Sequence, residues 1–165
     1  MLKWTALAAG TVLLAACNPV AQKEDAREQV DLFHQRFNAG QADAIWTDAG
    51  EELRQMTSRE EFSLLLTSVH KSLGDVEEAS QNGMRVNTNM QGTLTTLQMD
   101  THFERGRGAE IFMFRGSGDS LKLVGYNINS ADMMSDLMQT YGESGGDDAD
   151  AGDRPAAVRV QPLEQ

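Results

Sequence analysis

Thr93-Leu94-Thr95-Thr96-Leu97-Gln98-Met99-Asp100-Thr101-His102-Phe103-Glu104 decides the fold of this chain. The stretch alternates: Thr95, Leu97, Met99, Thr101 and Phe103 share one face, at the period of a β-strand. Arg105-Gly106-Arg107-Gly108 then reads as a turn, and Ala109 to Arg115 as the next strand. If the loop centres on Gly106-Arg107, Phe103 faces Glu110. Leu97, Met99, Phe103, Phe112 and Phe114 then line one side, which is expected to pack on helices. Glu110 falls on that same side. Leu94, Ile111 and Met113 occupy the other side among polar residues. Gly116-Ser117-Gly118-Asp119 is another turn, and Leu121 to Ser130 the last strand, where Val124, Tyr126 and Ile128 alternate with Leu121 and Leu123. Both faces of the final strands are therefore partly apolar. A sheet with one wet face should not look so, and something is expected to cover Ile111, Met113, Val124, Tyr126 and Ile128.

Working back from this hairpin, Val76 to Gln81 is a weak strand, Asn82-Gly83 a strong hairpin signal, and Met84 to Met90 a polar strand. Gly92 suggests a bulge or break. Before them the period becomes helical. Ser58 and Glu61 match a capping box, with Phe62, Leu65, Leu66, Val69 and Leu73 at helical spacing and Gly74 as the stop. Ala42 to about Met56 is helical too, and Gly50 weakens it, so two short helices are expected. Glu24 to Ala39 is the first helix, with Val30, Phe33 and Phe37 as its apolar stripe. Working forward, Ala131 to Tyr141 carries Met133, Met134, Leu137, Met138 and Tyr141 at helical spacing. It is expected to cover the second face or to form a terminal helix. From Gly142 the chain is Gly, Asp and Ala with few apolar residues, and is expected to be disordered.

Three helical segments followed by a four-stranded antiparallel meander make an α+β layer arrangement, with N-terminal helices packed on a curved sheet. With Ser58-Arg59-Glu60-Glu61-Phe62 opening a helix, Leu73-Gly74 ending it, then Glu110-Ile111-Phe112 and Lys122-Leu123-Val124-Gly125-Tyr126, the chain resembles the cone-shaped, cystatin-like nuclear-transport-factor-two superfamily. The resemblance spans roughly residues 26 to 130. It implies a pocket at the wide end of the cone, and dimerisation through the outer sheet face. It implies no single activity, because this fold hosts isomerases, dehydratases, binding modules and dimerisation units.

The N-terminus carries a second signal. Met1 to Lys3 form a basic start, Trp4 to Ala16 an uncharged apolar run, and Leu14-Ala15-Ala16-Cys17 closes it. This is the layout of a secretory signal, too short to span a bilayer. It resembles the lipobox of bacterial lipoproteins, which implies cleavage before Cys17 and acylation of that cysteine. The expected organisation is a signal peptide over residues 1–16, a lipidated tether over 17–23, a domain over 24–141 and an acidic tail over 142–165. Asp after the cysteine often marks inner-membrane retention in such lipoproteins. Asn18 therefore leans towards the outer membrane, facing the periplasm, in a Gram-negative host.

Net charge is −11 over 165 residues, and loss of Lys3 with the signal makes it more negative. Such a polyanion is repelled by nucleic acid, so the expected partners are the bilayer, through acylated Cys17, and a second copy or an envelope protein. Cys17 is the only cysteine, so no disulfide is expected. No motif fixes a reaction. His34, His70 and His102 lack a second ligand at metal spacing, so no metal site or cofactor is expected, and His34 and His70 read as surface or boundary residues. Glu110 and Tyr126 are the candidates for acid–base work, with Asp100 and His102 behind them. The competing reading has Glu110 at the sheet margin, reaching solvent or pairing with Arg105 or Arg107, and Tyr126 as a packed ring. Met133, Met134 and Met138 fill core or form an adaptable docking surface. The chain thus reads as a lipid-anchored binding or protein-interaction module. The alternatives are a binder of a small apolar ligand in the cone and an acid–base enzyme using Glu110 or Tyr126.

Overall fold

The computed structural model describes residues 19–143. The stretch read as a lipobox, with Cys17, and the residues after Glu143 lie outside the described residues. The helices α1 (Pro19–Asn38), α2 (Ala42–Asp48), α3 (Glu51–Met56) and α4 (Arg59–Leu73) come first. Strands β1 (Val76–Asn89), β2 (Gly92–Phe103), β3 (Gly106–Arg115) and β4 (Lys122–Asn129) follow, with a 3-10 turn at Gly118–Ser120 between the last two. Helix α5 (Ala131–Glu143) closes the domain. The strands form one antiparallel meander in the order β1-β2-β3-β4. The protein is an α+β domain with an open sheet, compatible with a cone-like fold.

Local chemistry sets the helix limits. The Ser58 hydroxyl accepts from the Glu61 backbone N–H at 3.2 Å, and the Glu61 carboxylate accepts from Ser58 N–H at 2.9 Å, so the expected capping box is present. Gly74 ends α4 at φ +80°, where a side chain would also collide with Glu104. Gly50 divides the preceding helical stretch into α2 and α3, and its N–H donates to Leu123 O at 2.7 Å, tying the junction to β4. Helix α1 starts at Pro19, earlier than the expected Glu24. Pro suits a first helical turn, because its missing N–H would have no partner there. Gln22 then fixes that turn: its amide donates to Thr95 Oγ1 at 2.9 Å and to Gly116 O at 3.1 Å. Residues 19–23, read from sequence as tether, are thus helix docked on the sheet.

One cluster of buried residues holds the layers together. Val30, Phe33 and Phe37 of α1 and Phe62, Leu66, Val69 and Leu73 of α4 meet Leu97, Met99 and Phe103 of β2 and Phe112 and Phe114 of β3. Helix α1 runs along β2 in the same direction. Gln22 reaches Thr95, Arg27 donates to Ala79 O at 2.8 Å beside Thr101, and Asn38 pairs with Val76 opposite Phe103.

Three sheet expectations are corrected. Asn82-Gly83 is no hairpin but a bulge within a continuous β1, because β2 is long enough to pair with both halves. The turn lies at Met90-Gln91, where Asn89 Oδ1 accepts from Gln91 N–H at 2.9 Å and Gly92 takes φ +105°. The four-strand count therefore holds although the hairpin was misplaced. The β2–β3 turn is Glu104-Arg105, and Phe103 pairs with Gly106 instead of Glu110. Arg105 belongs in the turn because its guanidinium donates to the His70, Lys71 and Ser72 carbonyls at 3.0, 2.8 and 3.2 Å, closing the end of α4. The pairing moves by an even number of residues, so every side chain keeps its expected face.

The third correction concerns β4. A bulge at Val124 breaks the alternation, so Leu123 pairs with Phe114 and Tyr126 with Phe112, all on the helix side. Ile128 pairs with Glu110 there as well. The outer face keeps Leu94, Ile111 and Met113 half-buried among Thr96, Gln98, Asp100 and Asn127. Helix α5 does not cover that face. It packs on α4 and β3, Met133 joins the inner core, and Asp132 Oδ2 accepts from Arg107 N–H at 2.9 Å.

Candidate functional site

Glu110 sits where the alternation of β3 turns it inward, paired with Met99 and Ile128. It is 1% exposed. A carboxyl group so buried must find partners, and it has three. Thr101 Oγ1 donates to Oε2 at 2.5 Å, His34 Nε2 lies 2.8 Å from the same oxygen, and Tyr126 Oη donates to Oε1 at 2.7 Å. The four side chains come from α1, β2, β3 and β4, so the network joins the helix layer to three strands. Aromatic rings enclose it. Phe33 lies 5.0 Å from Phe112 and 4.8 Å from Tyr126, and Phe112 stands edge-on to His34 at 5.6 Å.

Burial, followed by the negative charge of Glu110 and the hydrogen bond to it, pushes the Tyr126 hydroxyl well above the usual phenol range. Tyr126 is accordingly a fixed donor and not a base. The sheet-margin reading of Glu110 is overturned, since neither Arg105 nor Arg107 approaches it and solvent does not reach it. His34 is also corrected, because it is 7% exposed and interior. Its spacing from Val30 and Phe37 put it within the apolar stripe of α1, a signal available in the sequence. Thr101 shared the inward face with Phe103 but carries no chemistry of its own to mark it.

The remaining sequence candidates are dispersed. Asp100 and His102 point to the outer side of the sheet, and Asp100 Oδ1 accepts from Asn82 at 3.2 Å. His70 pairs with Asp75 at 2.6 Å on the surface. Ile111 and Met113 lie on the outer face, Tyr126 and Ile128 on the inner face, and Val124 is buried in the β4 bulge against Gly50. The structure therefore does not gather these five into one surface. Met134 and Met138 are exposed on α5. Among the described residues no group of His, Cys, Asp and Glu could hold a metal ion, and no helix is long and apolar enough to cross a membrane.

A cleft of about 330 Å³ opens between α1, α2 and the start of β4. Leu32, Phe33, Ile45, Phe114, Leu121 and Leu123 line its apolar part, and Asp25, Glu28, Asp48 and Asp119 its acidic part, with Arg36 and Lys122. Arg36 is held by Asp48 at 2.6 Å. Asp25 Oδ2 accepts from Gly118 N–H at 3.2 Å, fixing one wall. Glu110, His34 and Tyr126 do not line this cleft, and Phe33 stands between it and Tyr126.

Fold and site together define an α+β domain with a polar network centred on buried Glu110 and reaching half-buried Tyr126, and a separate open cleft. The chain belongs to the family described as a protein of unknown function (DUF4019), whose model matches residues 29–126, more than half of the chain. The match takes in His34, Thr101, Glu110 and Tyr126 and stops short of α5. No curated protein matches the chain.

Proposed function

We propose that this protein is a lipid-anchored module of the bacterial cell envelope that binds a ligand without transforming it. The anchor is Cys17, read from the Leu14-Ala15-Ala16-Cys17 lipobox, and the cone-shaped scaffold is that of the nuclear-transport-factor-two superfamily. The observation that supports binding over catalysis is the separation of the two features. The hydrogen-bonded group of Glu110, Thr101, His34 and Tyr126 lies inside the domain, whereas none of the four lines the accessible cleft. Its volume of about 330 Å³ falls within the range of small-molecule sites, roughly 300–1,000 Å³. Four carboxylates against two cations in its wall favour a ligand with a cationic group and an apolar part.

The test is native mass spectrometry of the soluble domain purified from its own host. A monomer carrying a small cationic mass supports the reading, and Asp119→Asn with Glu28→Gln should lose that mass. A dimer without extra mass would transfer the function to self-association through the outer face around Ile111 and Met113. Substituting Glu110→Gln and Tyr126→Phe separates the enzyme reading. If folded variants fail to rescue a deletion strain while retaining the ligand, binding alone is not the function. For the anchor, Cys17→Ser should abolish the lipid mass and release the protein from membranes.

A further inference from the structure

Charge is distributed unevenly along the sheet. From Val86 to Met99 no residue is charged, in a chain in which 24% are. The run forms the last four residues of β1 and the first eight of β2, joined at the Met90-Gln91 turn. Met90, at the tip, is 104% exposed, and Val86 is 42% exposed. Water gains nothing from an exposed methionine with uncharged neighbours. A lipid interface does, because apolar surface is buried there and no charge has to be desolvated.

The direction of α1 ties this end to the anchor. The helix begins beside Thr95 and Gly116 and ends beside Val76 and Phe103. Its N-terminus therefore lies at the hairpin-tip end of the molecule. Only Asn18 separates Pro19 from Cys17, and two Cα steps span less than about 8 Å. Because Gln22 docks the first turn on the sheet, little slack remains between an acylated Cys17 and the domain.

We propose that the uncharged β1–β2 hairpin end is the bilayer-facing surface, with Met90 and Val86 entering the boundary between headgroups and acyl chains. The partner is a lipid surface, and the proposal rests on the reading of Cys17 as acylated. It assigns the domain a fixed orientation. The opposite end, with the close of α4 and the Glu104-Arg105 turn, faces away from the membrane. Because the contact is uncharged, it should be independent of salt and of anionic lipid.

The experiment uses the full chain, purified with its lipid and placed in phosphatidylcholine vesicles that contain nitroxide-labelled lipid. Met90→Cys carries an environment-sensitive fluorophore, and Lys71→Cys on exposed α4 carries the same label as the control. An acylated Cys17 has no free thiol to compete. The expected result is a blue shift at position 90 and quenching severalfold stronger than at position 71, unchanged at high salt. If the protein floats with vesicles but both positions are equally and weakly quenched, the orientation is wrong and the anchor stands. The uncharged hairpin would then be a protein-docking edge. If the purified chain has no lipid mass and Cys17 reacts with thiol reagents, the anchor reading fails and the proposal with it.

Discussion

Removing the Glu110 carboxylate would leave His34, Thr101 and Tyr126 facing a buried gap. Glu110→Ala should therefore lower unfolding stability by about 1–3 kcal/mol for each buried partner left unsatisfied. Tyr126→Phe strips one donor and should cost about 1–3 kcal/mol. Urea denaturation at neutral pH measures both, and an effect below that of an ordinary surface substitution would show that the network contributes nothing to the fold. The same tyrosine predicts a pH response. Its folded pKa is raised above the unfolded value of about 10, so the folded state holds the proton more tightly. Its contribution is then complete below about pH 10 and is lost as pH climbs from there towards the folded pKa. Tyr126→Phe should flatten that alkaline decline. Much of this site was legible: Glu110 was placed on the apolar side and Tyr126 was named beside it. Their contact was not, because it depends on the β4 bulge at Val124, which reverses the face of Tyr126 and whose one local signal is the neighbouring Gly125. His34 was missed because a polar residue in an apolar stripe reads equally as boundary until its partner is known.

Helix and strand limits follow from individual hydrogen bonds. Ser58→Ala removes the hydroxyl that caps α4 and should cost about 1 kcal/mol, measured by thermal or urea unfolding. The backbone and side-chain hydrogen bonds from Ser58 hold the Glu61 carboxyl below its ordinary range. This contribution is present above a pH of about 4.5 and is lost as pH falls through the folded value, so Ser58→Ala should also weaken the acid dependence. At the α2–α3 junction the relevant property is space. A Cβ on Gly50 would stand 2.9 Å from Val124 Cγ1 and 3.3 Å from Leu123 O. Gly50→Ala should push α3 from β4 and cost about 1–3 kcal/mol, as overpacking does. An unchanged midpoint would mean that the junction yields freely. The limits of α4 were readable from sequence because its capping box and its closing Gly74 are local, whereas the start of α1 was not. The Glu104-Arg105 turn was not readable, because Arg105 is recruited by α4 carbonyls that it meets only in the folded chain, and the Met90-Gln91 turn was not, because Asn82-Gly83 carries the stronger local hairpin signal.

At the scale of the molecule, helices and sheet share one hydrophobic cluster and the buried network bridges them. Neither layer has a core of its own, so the two should unfold together. Trp46 on α2 reports on this directly, since it packs partly buried against the cluster, and the only other tryptophan is Trp4, outside the described residues. Tryptophan fluorescence of a Trp4→Phe variant follows the helix layer at α2, whereas far-ultraviolet circular dichroism follows helices and sheet together. The two transitions should coincide in urea, with a common midpoint and slope. An earlier fluorescence transition would show that α2 detaches first, and the cleft it walls would then be a mobile feature instead of a preformed one. Any ligand of the cleft touches α1, α2 and the start of β4 at once. In a cooperative domain it must therefore raise the single midpoint for both signals by the same amount, whereas ligand binding to a detachable α2 would move the fluorescence midpoint alone.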